Sequence, residues 1–289
     1  MRALNIVGCG RAGRTFARLF AKGHAFVLQD LMDANAAAAR ACAQFAESGR
    51  PVRRIADMRP APVWLIATPD GAIVDAVNAL VEAGRIERGN VVVHLSGATP
   101  SLDMVAAIEI GAHVGSFHPL KTFADPGHAA ASFAQTYVAL EGDRKALKIM
   151  RVALRKIGAR VFEIAPQDKV LYHAGSVIVC NYLVALLEAG LRAYEAAGIR
   201  LETGYKLMEP LVRETVDNVF RSGTVRSLTG PIARGDDAVV KRQVTNLQAV
   251  DPQLASLYLE LGKVALTLAR SQGSAPAAAL AKVSRALKG

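Results

Sequence analysis

A glycine-rich turn close to the start of the chain constrains its fold more than any other feature. Residues 8–13 read GCGRAG, follow the apolar run at 4–7 directly and precede a helical pattern over 12–22. In a strand–turn–helix of this kind, the first glycine allows a tight turn, the second lets a pyrophosphate approach the backbone, and the third lets helix and strand pack closely. A turn that needs glycine for its backbone alone is the alternative. The turn therefore predicts a dinucleotide site with contacts from Gly8, Gly10, Arg11, Ala12 and Gly13.

Short apolar runs alternate with helical patterns through the first half of the chain. Runs at 25–29, 63–67 and 91–95 are separated by helical patterns at 35–47 and 73–82. Further runs typical of strands lie at 114–117, 136–140 and 160–164. Continuous apolar strands between helices imply a parallel sheet that is covered on both faces. The predicted fold class is therefore α/β, with a doubly wound parallel Rossmann sheet.

The alternation stops at about residue 166. A long apolar helical pattern over 170–197 is followed by others at 201–220, 238–249 and 253–272. We therefore predict two domains, a Rossmann domain over 1–165 and an all-helical domain over 166–289 that shapes the substrate site and forms a dimer. The tail from Gly273 onward is predicted to be a frayed helix.

Composition places the chain among globular proteins, because hydrophobic residues make up 52% and charged residues 21%. The net charge of +10 is compatible with nucleic-acid binding, but the basic residues are dispersed and aromatic residues make up only 6%. A basic field that attracts an anionic cofactor or substrate is the preferred interpretation.

Targeting and redox signals are also weak. The three cysteines include no CxxC pair, so we expect neither a disulfide framework nor a bound metal. We expect no membrane span, since we find no run of about 18 successive uncharged apolar residues, and we see no secretory signal. The predicted location is the cytoplasm.

An acidic residue near the end of the second predicted strand bears on the choice of cofactor. Asp30 follows the run at 25–29, at the position where an acid normally accepts hydrogen bonds from the adenosine ribose and disfavours a 2′-phosphate. Asp33 competes for this role. The acid favours NAD, whereas Arg11 and Arg14 keep NADP open.

Two loops that follow predicted strands contain candidate cofactor contacts. Thr68 and Pro69 come after the third strand, and Ser96 comes after the fourth. Loops at the carboxyl ends of strands line the ligand crevice of doubly wound sheets, so these residues are expected to flank the far half of the cofactor. Both segments are also ordinary loop sequences.

Two histidines are candidates for proton transfer. His118 comes just after a predicted strand, where it could donate a proton or orient a carbonyl, and Lys121 beyond it could bind a carboxylate. His173 and Asn181 are polar residues on the apolar helical pattern and need partners. We expect His118, His173 and Asn181 to converge on one cleft between the domains, although internal hydrogen bonding would also satisfy them.

A further polar segment lies between predicted helices. Residues 229–237 read TGPIARGDD, and loops of this type often hold function. Arg234 and Asp236 are candidates for substrate binding, and an ion pair that fixes the loop is the alternative.

Five stretches together resemble the family that joins a Rossmann-like domain to a DUF2520 helical domain. They are GCGRAG at 8–13, HLSGA at 94–98, SFHPLKTFADP at 116–126, YHAGSVIVCNYLVALLEAG at 172–190 and LTGPIARGDD at 228–237. The family is similar to the group that contains 6-phosphogluconate dehydrogenase, pyrroline-5-carboxylate reductase and prephenate dehydrogenase. The resemblance implies an oxidoreductase fold, with a helical domain that commonly forms the dimer and closes over the substrate.

One departure from that group concerns a lysine. Its β-hydroxyacid dehydrogenases carry a catalytic lysine four residues before an asparagine on the first interdomain helix. If Asn181 matches that asparagine, the lysine position is Val177, and valine cannot transfer protons. We therefore expect a histidine, His173 or His118, to replace the lysine.

These features predict hydride transfer between a nicotinamide ring and a small polar substrate that carries a carboxylate, with a histidine moving the proton. A dinucleotide-binding sensor or regulatory dimer without turnover is the alternative, and a nucleic-acid-associated protein is a minor one. The apolar segment at 177–191 predicts a homodimer through the helical domain.

Overall fold

The computed structural model describes residues 1–288, and they form two compact units, residues 1–178 and 179–288. The boundary near residue 165 that the sequence indicates lies just before a long helix, whereas the division between the compact units falls inside that helix.

The first unit is built on one eight-stranded sheet. Its strands are β1 Ala3–Val7, β2 Val27–Met32, β3 Arg50–Val52, β4 Val63–Ile66, β5 Val91–His94, β6 His113–Pro119, β7 Tyr137–Gly142 and β8 Arg160–Glu163. The strand order is β3-β2-β1-β4-β5-β6-β7-β8, and all neighbours are parallel except β6 and β7. The order of the first six strands is that of a Rossmann sheet, so the predicted fold class is confirmed.

Six helices connect these strands. They are α1 Arg11–Lys22, α2 Ala36–Ala46, α3 Ile73–Glu82, α4 Val105–Glu109, α5 Pro126–Ala131 and α6 Arg144–Lys156. Apolar side chains alternate between two cores, because successive residues of a strand point to opposite faces. In β4, Leu65 packs in a core with Phe16 of α1, whereas Trp64 packs in another with Val77 of α3. This double burial explains why the central strands read as continuous apolar runs.

The second unit is helical, and α7 belongs to both units. The helices are α7 Lys169–Ala196, α8 Leu201–Ser222, α9 Thr224–Ser227, α10 Gly230–Arg234, α11 Asp237–Val250, α12 Pro252–Gln272 and α13 Ala277–Ala286. The expectation of a frayed tail is wrong, because Leu280, Val283 and Leu287 are buried in the core of this unit.

One helical segment is relevant to the expectation that no segment spans a membrane. Residues Pro166–Ala196 are long and apolar enough to do so, with a mean hydropathy of 1.8 over the best window, and none of that window is buried. The residues from Val170 to Leu187 contain no Asp, Glu, Lys or Arg, although His173, Ser176 and Asn181 interrupt the apolar run. Length and composition alone do not distinguish such a helix from one that packs against protein.

Candidate active site

The glycine turn joins β1 to α1, and neighbouring atoms explain two of its three glycines. A Cβ on Gly8, whose φ is +99°, would lie 2.4 Å from the carbonyl carbon of Ala67. A Cβ on Gly13 would lie 2.1 Å from the carbonyl oxygen of Gly8. Gly10 differs, because its φ of −66° suits any residue and a Cβ there would meet nothing within 4 Å. The fold itself therefore gives no reason for glycine at position 10.

The amino end of α1 is arranged to receive an anion. No side chain caps this end, and its first turn contains no acidic residue but does contain the exposed Arg11. Uncapped N–H groups and the helix dipole attract negative charge, which an arginine in the first turn reinforces. Together with the open space at Gly10, this end of α1 fits a dinucleotide pyrophosphate, with Arg11, Ala12 and Gly13 as the predicted contacts.

Asp30 does not lie where the sequence placed it. β2 ends at Met32, so Asp30 is inside the strand, and its side chain is fully buried. Its carboxylate accepts hydrogen bonds from Arg50 (2.9 Å) and Arg59 (2.7 Å). Burial alone would raise the pKa of Asp30, but these arginines hold it below its ordinary value. Because these bonds already satisfy the buried carboxylate, Asp30 is a poorer candidate for the ribose than Asp33, and a cofactor contact by Asp30 stays a prediction.

Asp33 is the acid that follows the end of β2. Its carboxylate accepts hydrogen bonds from the backbone N–H groups of Cys9 (2.7 Å), in the glycine turn, and Asn35 (2.8 Å). Asp33 therefore holds the turn at the carboxyl edge of the sheet, where Rossmann folds bind the adenosine ribose.

The loops after β4 and β5 are tied together at the same edge. The hydroxyl of Ser96 donates to Asp70 at 2.8 Å and accepts from the N–H of Thr99 at 2.8 Å. The hydroxyl of Thr68 is buried and has no hydrogen-bond partner among residues 1–288. Since buried hydroxyls normally have a partner, Thr68 is a candidate ligand contact, whereas Pro69 is exposed beside it.

Two histidines and a tyrosine meet beside the β5 loop. The Nδ1 atom of His118, at the end of β6, lies 3.0 Å from the hydroxyl of Tyr172 on α7. The rings of His118 and His173 are 5.3 Å apart between centroids. The structure thus brings the two predicted histidines together and adds Tyr172, which the sequence analysis did not select.

Gly97 provides the space into which these imidazoles fit. A Cβ on Gly97 would lie 2.3 Å from Nδ1 of His173 and 2.8 Å from Nε2 of His118. The Nδ1 atom of His173 is buried and has no hydrogen-bond partner within the described chain. Both imidazoles therefore turn a ring nitrogen toward the loop that follows β5.

Burial sets the protonation of this cluster. It lowers the pKa of His118 to about 4, with help from the neighbouring His173 and Lys169, so the imidazole is neutral at pH 7. Burial also raises the pKa of Tyr172 to about 12, so its phenol keeps the proton. A protonated phenol and a neutral imidazole can share one hydrogen bond and pass a proton to a substrate.

A buried ion pair lies next to the cluster. The ammonium of Lys169 lies 2.9 Å from the carboxylate of Glu141, and each side chain is only 1% exposed. Lys169 also bonds to the hydroxyl of Ser116. The sequence analysis missed this lysine, although it precedes His173 by four residues, the spacing that it sought before Asn181. The sequence analysis considered only Val177 as the position of a catalytic lysine.

Four other residues were predicted to belong to the site. The ammonium of Lys121 donates to the carbonyl oxygen of Ser132 at 2.9 Å. Asn181 and Arg234 are exposed in the second unit. Asp236 accepts a hydrogen bond from the N–H of Val239 and so caps α11. Substrate binding by Lys121, Arg234 and Asp236, and a catalytic role of Asn181, stay predictions. No group of three potential metal ligands occurs within residues 1–288.

Comparison with known proteins supports the motif-based resemblance. Residues 136–265 match the family described as Domain of unknown function (DUF2520), which confirms the resemblance for this part of the chain. None of the curated proteins matches the sequence.

Solved structures share the fold over almost the whole chain. Protein TM1727 from Thermotoga maritima is 26% identical, with a TM-score of 0.74 and coverage of 93% of this chain and 99% of its own. An imine reductase from Myxococcus stipitatus in complex with NADP+ is 14% identical, with a TM-score of 0.68 and coverage of 97% and 99%. An NADH-preferring ketol-acid reductoisomerase from an uncultured archean is 14% identical, with a TM-score of 0.63 and coverage of 91% and 82%. At these low identities, the last two similarities show the fold alone.

Proposed function

We propose that this chain, which contains a Rossmann-type sheet and matches the DUF2520 family over residues 136–265, is an NAD(P)-dependent oxidoreductase that acts on a small polar substrate. The observation that carries the proposal is the open space beside Gly10, which lies between two glycines that the fold itself requires. A ligand that lies against this backbone gives the missing reason for glycine. Structural relatives that bind NADP+ or prefer NADH support the same conclusion.

The chain would hold the cofactor with the turn and the loops after β4 and β5. The N–H groups at the start of α1 would bind the pyrophosphate, and the unpartnered hydroxyl of Thr68 would bind a group farther along the cofactor. We favour NAD, because the carboxylate of Asp33 at the end of β2 would repel a 2′-phosphate. The bound nicotinamide would supply or accept the hydride.

His118 is the proposed proton relay: as Nε2 gives its proton to the substrate, Nδ1 would take the proton of the Tyr172 hydroxyl, and both transfers would reverse when a substrate is oxidised. The hydroxyl of Tyr172 would donate to Nδ1 of His118, which leaves a proton on Nε2, the atom that faces Gly97. His173 would orient the substrate through its unpartnered Nδ1. Lys121 and Arg234 are further proposed to bind a substrate carboxylate.

Titration with NADH and NADPH tests the cofactor site. Gly10→Val should fold normally, because the position is open, but should bind either dinucleotide at least about tenfold more weakly, since its side chain takes the space of the phosphate. Gly127→Ala on α5 is the control, because a Cβ there approaches only the Asp125 carboxylate, at 3.2 Å. Unchanged affinity in folded Gly10→Val would refute the assignment.

A panel of ketones, aldehydes and imines with each reduced cofactor tests turnover. Oxidation of the cofactor by any of them, abolished in His118→Ala, would support the enzyme. Binding without turnover across the panel would instead favour the alternative, a dinucleotide sensor.

We further propose that the protein is a cytoplasmic homodimer formed through α7. Large apolar side chains on this helix are exposed, among them Ile178 (59%), Val179 (72%) and Val184 (68%). An exposed apolar face of this extent usually marks an interface. Light scattering at micromolar concentration should give twice the chain mass. A monomer, or a protein that is recovered only with membranes, would contradict the proposal.

A further inference from the structure

The buried pair of Lys169 and Glu141 holds the start of α7 against the sheet. Both oxygens of the Glu141 carboxylate are used, since they accept bonds from the N–H (2.9 Å) and hydroxyl (2.7 Å) of Ser101 and from the hydroxyl of Ser116 (2.6 Å). Burial alone would raise the pKa of Glu141, but Lys169 and the serine hydroxyls hold it below its ordinary value. The carboxylate is therefore ionised and fully satisfied.

This pair belongs to a polar row that crosses three neighbouring strands. His94 of β5 is opposite Ser116 of β6, and Ser116 is opposite Glu141 of β7. Lys169 contacts both Ser116 and Glu141. Since the polar side chains of this row are buried and bonded to one another, they favour one register of α7 on the strands.

The spacing of side chains connects this row to the histidine cluster. His118 lies two residues after Ser116 and so on the same face of β6, about 6.6 Å farther along the strand. Tyr172 and His173 lie three and four residues after Lys169, on the same face of α7 and about one turn, 5.4 Å, farther along the helix. The two steps are similar in length, so docking Lys169 on Ser116 brings Tyr172 to His118.

Stability alone gives no reason for a pair of this kind. Removing two charges from water is costly, and replacing a buried ion pair by apolar residues of similar volume is often neutral or stabilising. Ionic groups in a core can instead specify one arrangement among several. Here the arrangement that they specify is the contact between Tyr172 and His118.

We infer that Lys169 and Glu141 are positioning residues, which fix α7 on β6 so that the Tyr172 hydroxyl holds His118 in the tautomer with its proton on Nε2. The inference rests on the proposed function only in giving this tautomer a catalytic purpose. Lys169 itself is enclosed and ion-paired, so it acts through Tyr172 rather than on a substrate.

Nitrogen-15 NMR of the histidine side chains tests this inference without cofactor or substrate. In the native protein, the His118 signals should show a bare Nδ1 and a protonated Nε2. The double variant Lys169→Met/Glu141→Leu should remain folded, since it replaces both charges by apolar groups of similar size. In this variant the His118 signals should move toward a mixture of tautomers, as they should in Tyr172→Phe.

A control and a second variant complete the test. Glu209→Gln/Arg213→Gln, which removes an exposed ion pair on α8, should leave the His118 signals unchanged. If the double variant does not fold, Glu141→Gln, which keeps the shape but not the charge, should show the same shift in smaller degree. Native His118 signals in the folded double variant, or in Glu141→Gln if only that variant folds, would overturn the inference.

Turnover separates this inference from the proposed function. With an active substrate, the folded variant should lose about tenfold or more in kcat, with little change in the affinity for the dinucleotide. A tautomer shift in a protein that binds no dinucleotide would leave the positioning role intact and reject the proposed function. Dinucleotide binding with unaltered His118 tautomers in the variants would support the proposed function and reject the positioning role.

Discussion

Gly97→Ala should damage the candidate site while leaving the fold intact. The added methyl group would lie 2.3 Å from Nδ1 of His173 and 2.8 Å from Nε2 of His118, whereas ordinary contact begins at 3.4 Å. The His173 ring must therefore move by about 1.1 Å, from 2.3 to 3.4 Å, and the His118 ring by about 0.6 Å, from 2.8 to 3.4 Å. Both rings belong to side chains that can rotate, so the backbone need not shift.

The expected cost differs between stability and turnover. Overpacking of this size costs about 1–3 kcal/mol of folding free energy. A displacement of about 1 Å in a catalytic group can lower turnover by about 10²-fold. Affinity for the dinucleotide should change much less, because the glycine turn at the start of α1 is untouched.

Three measurements on one variant check this prediction. Thermal unfolding should show a modest loss, cofactor titration a near-native affinity, and turnover with an active substrate a large decrease, while Gly127→Ala should match the native protein in all three. Imidazole NMR signals and turnover that both remain native in folded Gly97→Ala would refute the placement of His118 and His173 at a common site.

Two further predictions concern charge. Asp33→Ser should change the ratio of NADH to NADPH affinity by about tenfold toward NADPH, because a repulsive carboxylate is removed. Asp30→Asn should leave this ratio unchanged but lower the folding stability by about 2 kcal/mol, as it weakens the bonds of two arginines to a buried carboxylate. Equal effects of both variants on the affinity ratio would contradict this prediction. The melting temperature should fall as the pH is lowered from 6.5 toward 4. Burial lowers the pKa values of His94 and His118 to about 4, so the unfolded chain binds more protons than the folded one in this range. A melting temperature that stays constant over this interval would show that these histidines are not buried as described.

The sheet was predictable because its strands carry a strong local signal. β4 and β5 are continuous apolar runs, and burial on both faces produces that pattern directly. β3 was missed, because three residues that include Arg50 and Pro51 at the edge of the sheet need little apolar character.

The sequence could predict only those parts of the candidate site that lie within one short segment of the chain. The glycine turn and His118 follow strands directly, so topology places them at the carboxyl edge. The sequence analysis preferred Asp30 to Asp33 because β2 ends three residues later than the predicted strand. Strand ends predicted from a single sequence are often wrong by about two to four residues. Glu141 and Lys169 could not be paired from the sequence, since only the register of β6, β7 and α7 brings them together.

The central claim is that a nicotinamide dinucleotide binds at the glycine turn and extends to His118. A crystal structure of the protein soaked with NAD+ or NADP+ tests it most directly. The claim predicts a pyrophosphate against Gly10 and the N–H groups that begin α1, an adenosine ribose near Asp33, and a nicotinamide ring in contact with the His118 and His173 imidazoles. A dinucleotide bound elsewhere on the protein, or a glycine turn that stays empty at saturating cofactor, would contradict it.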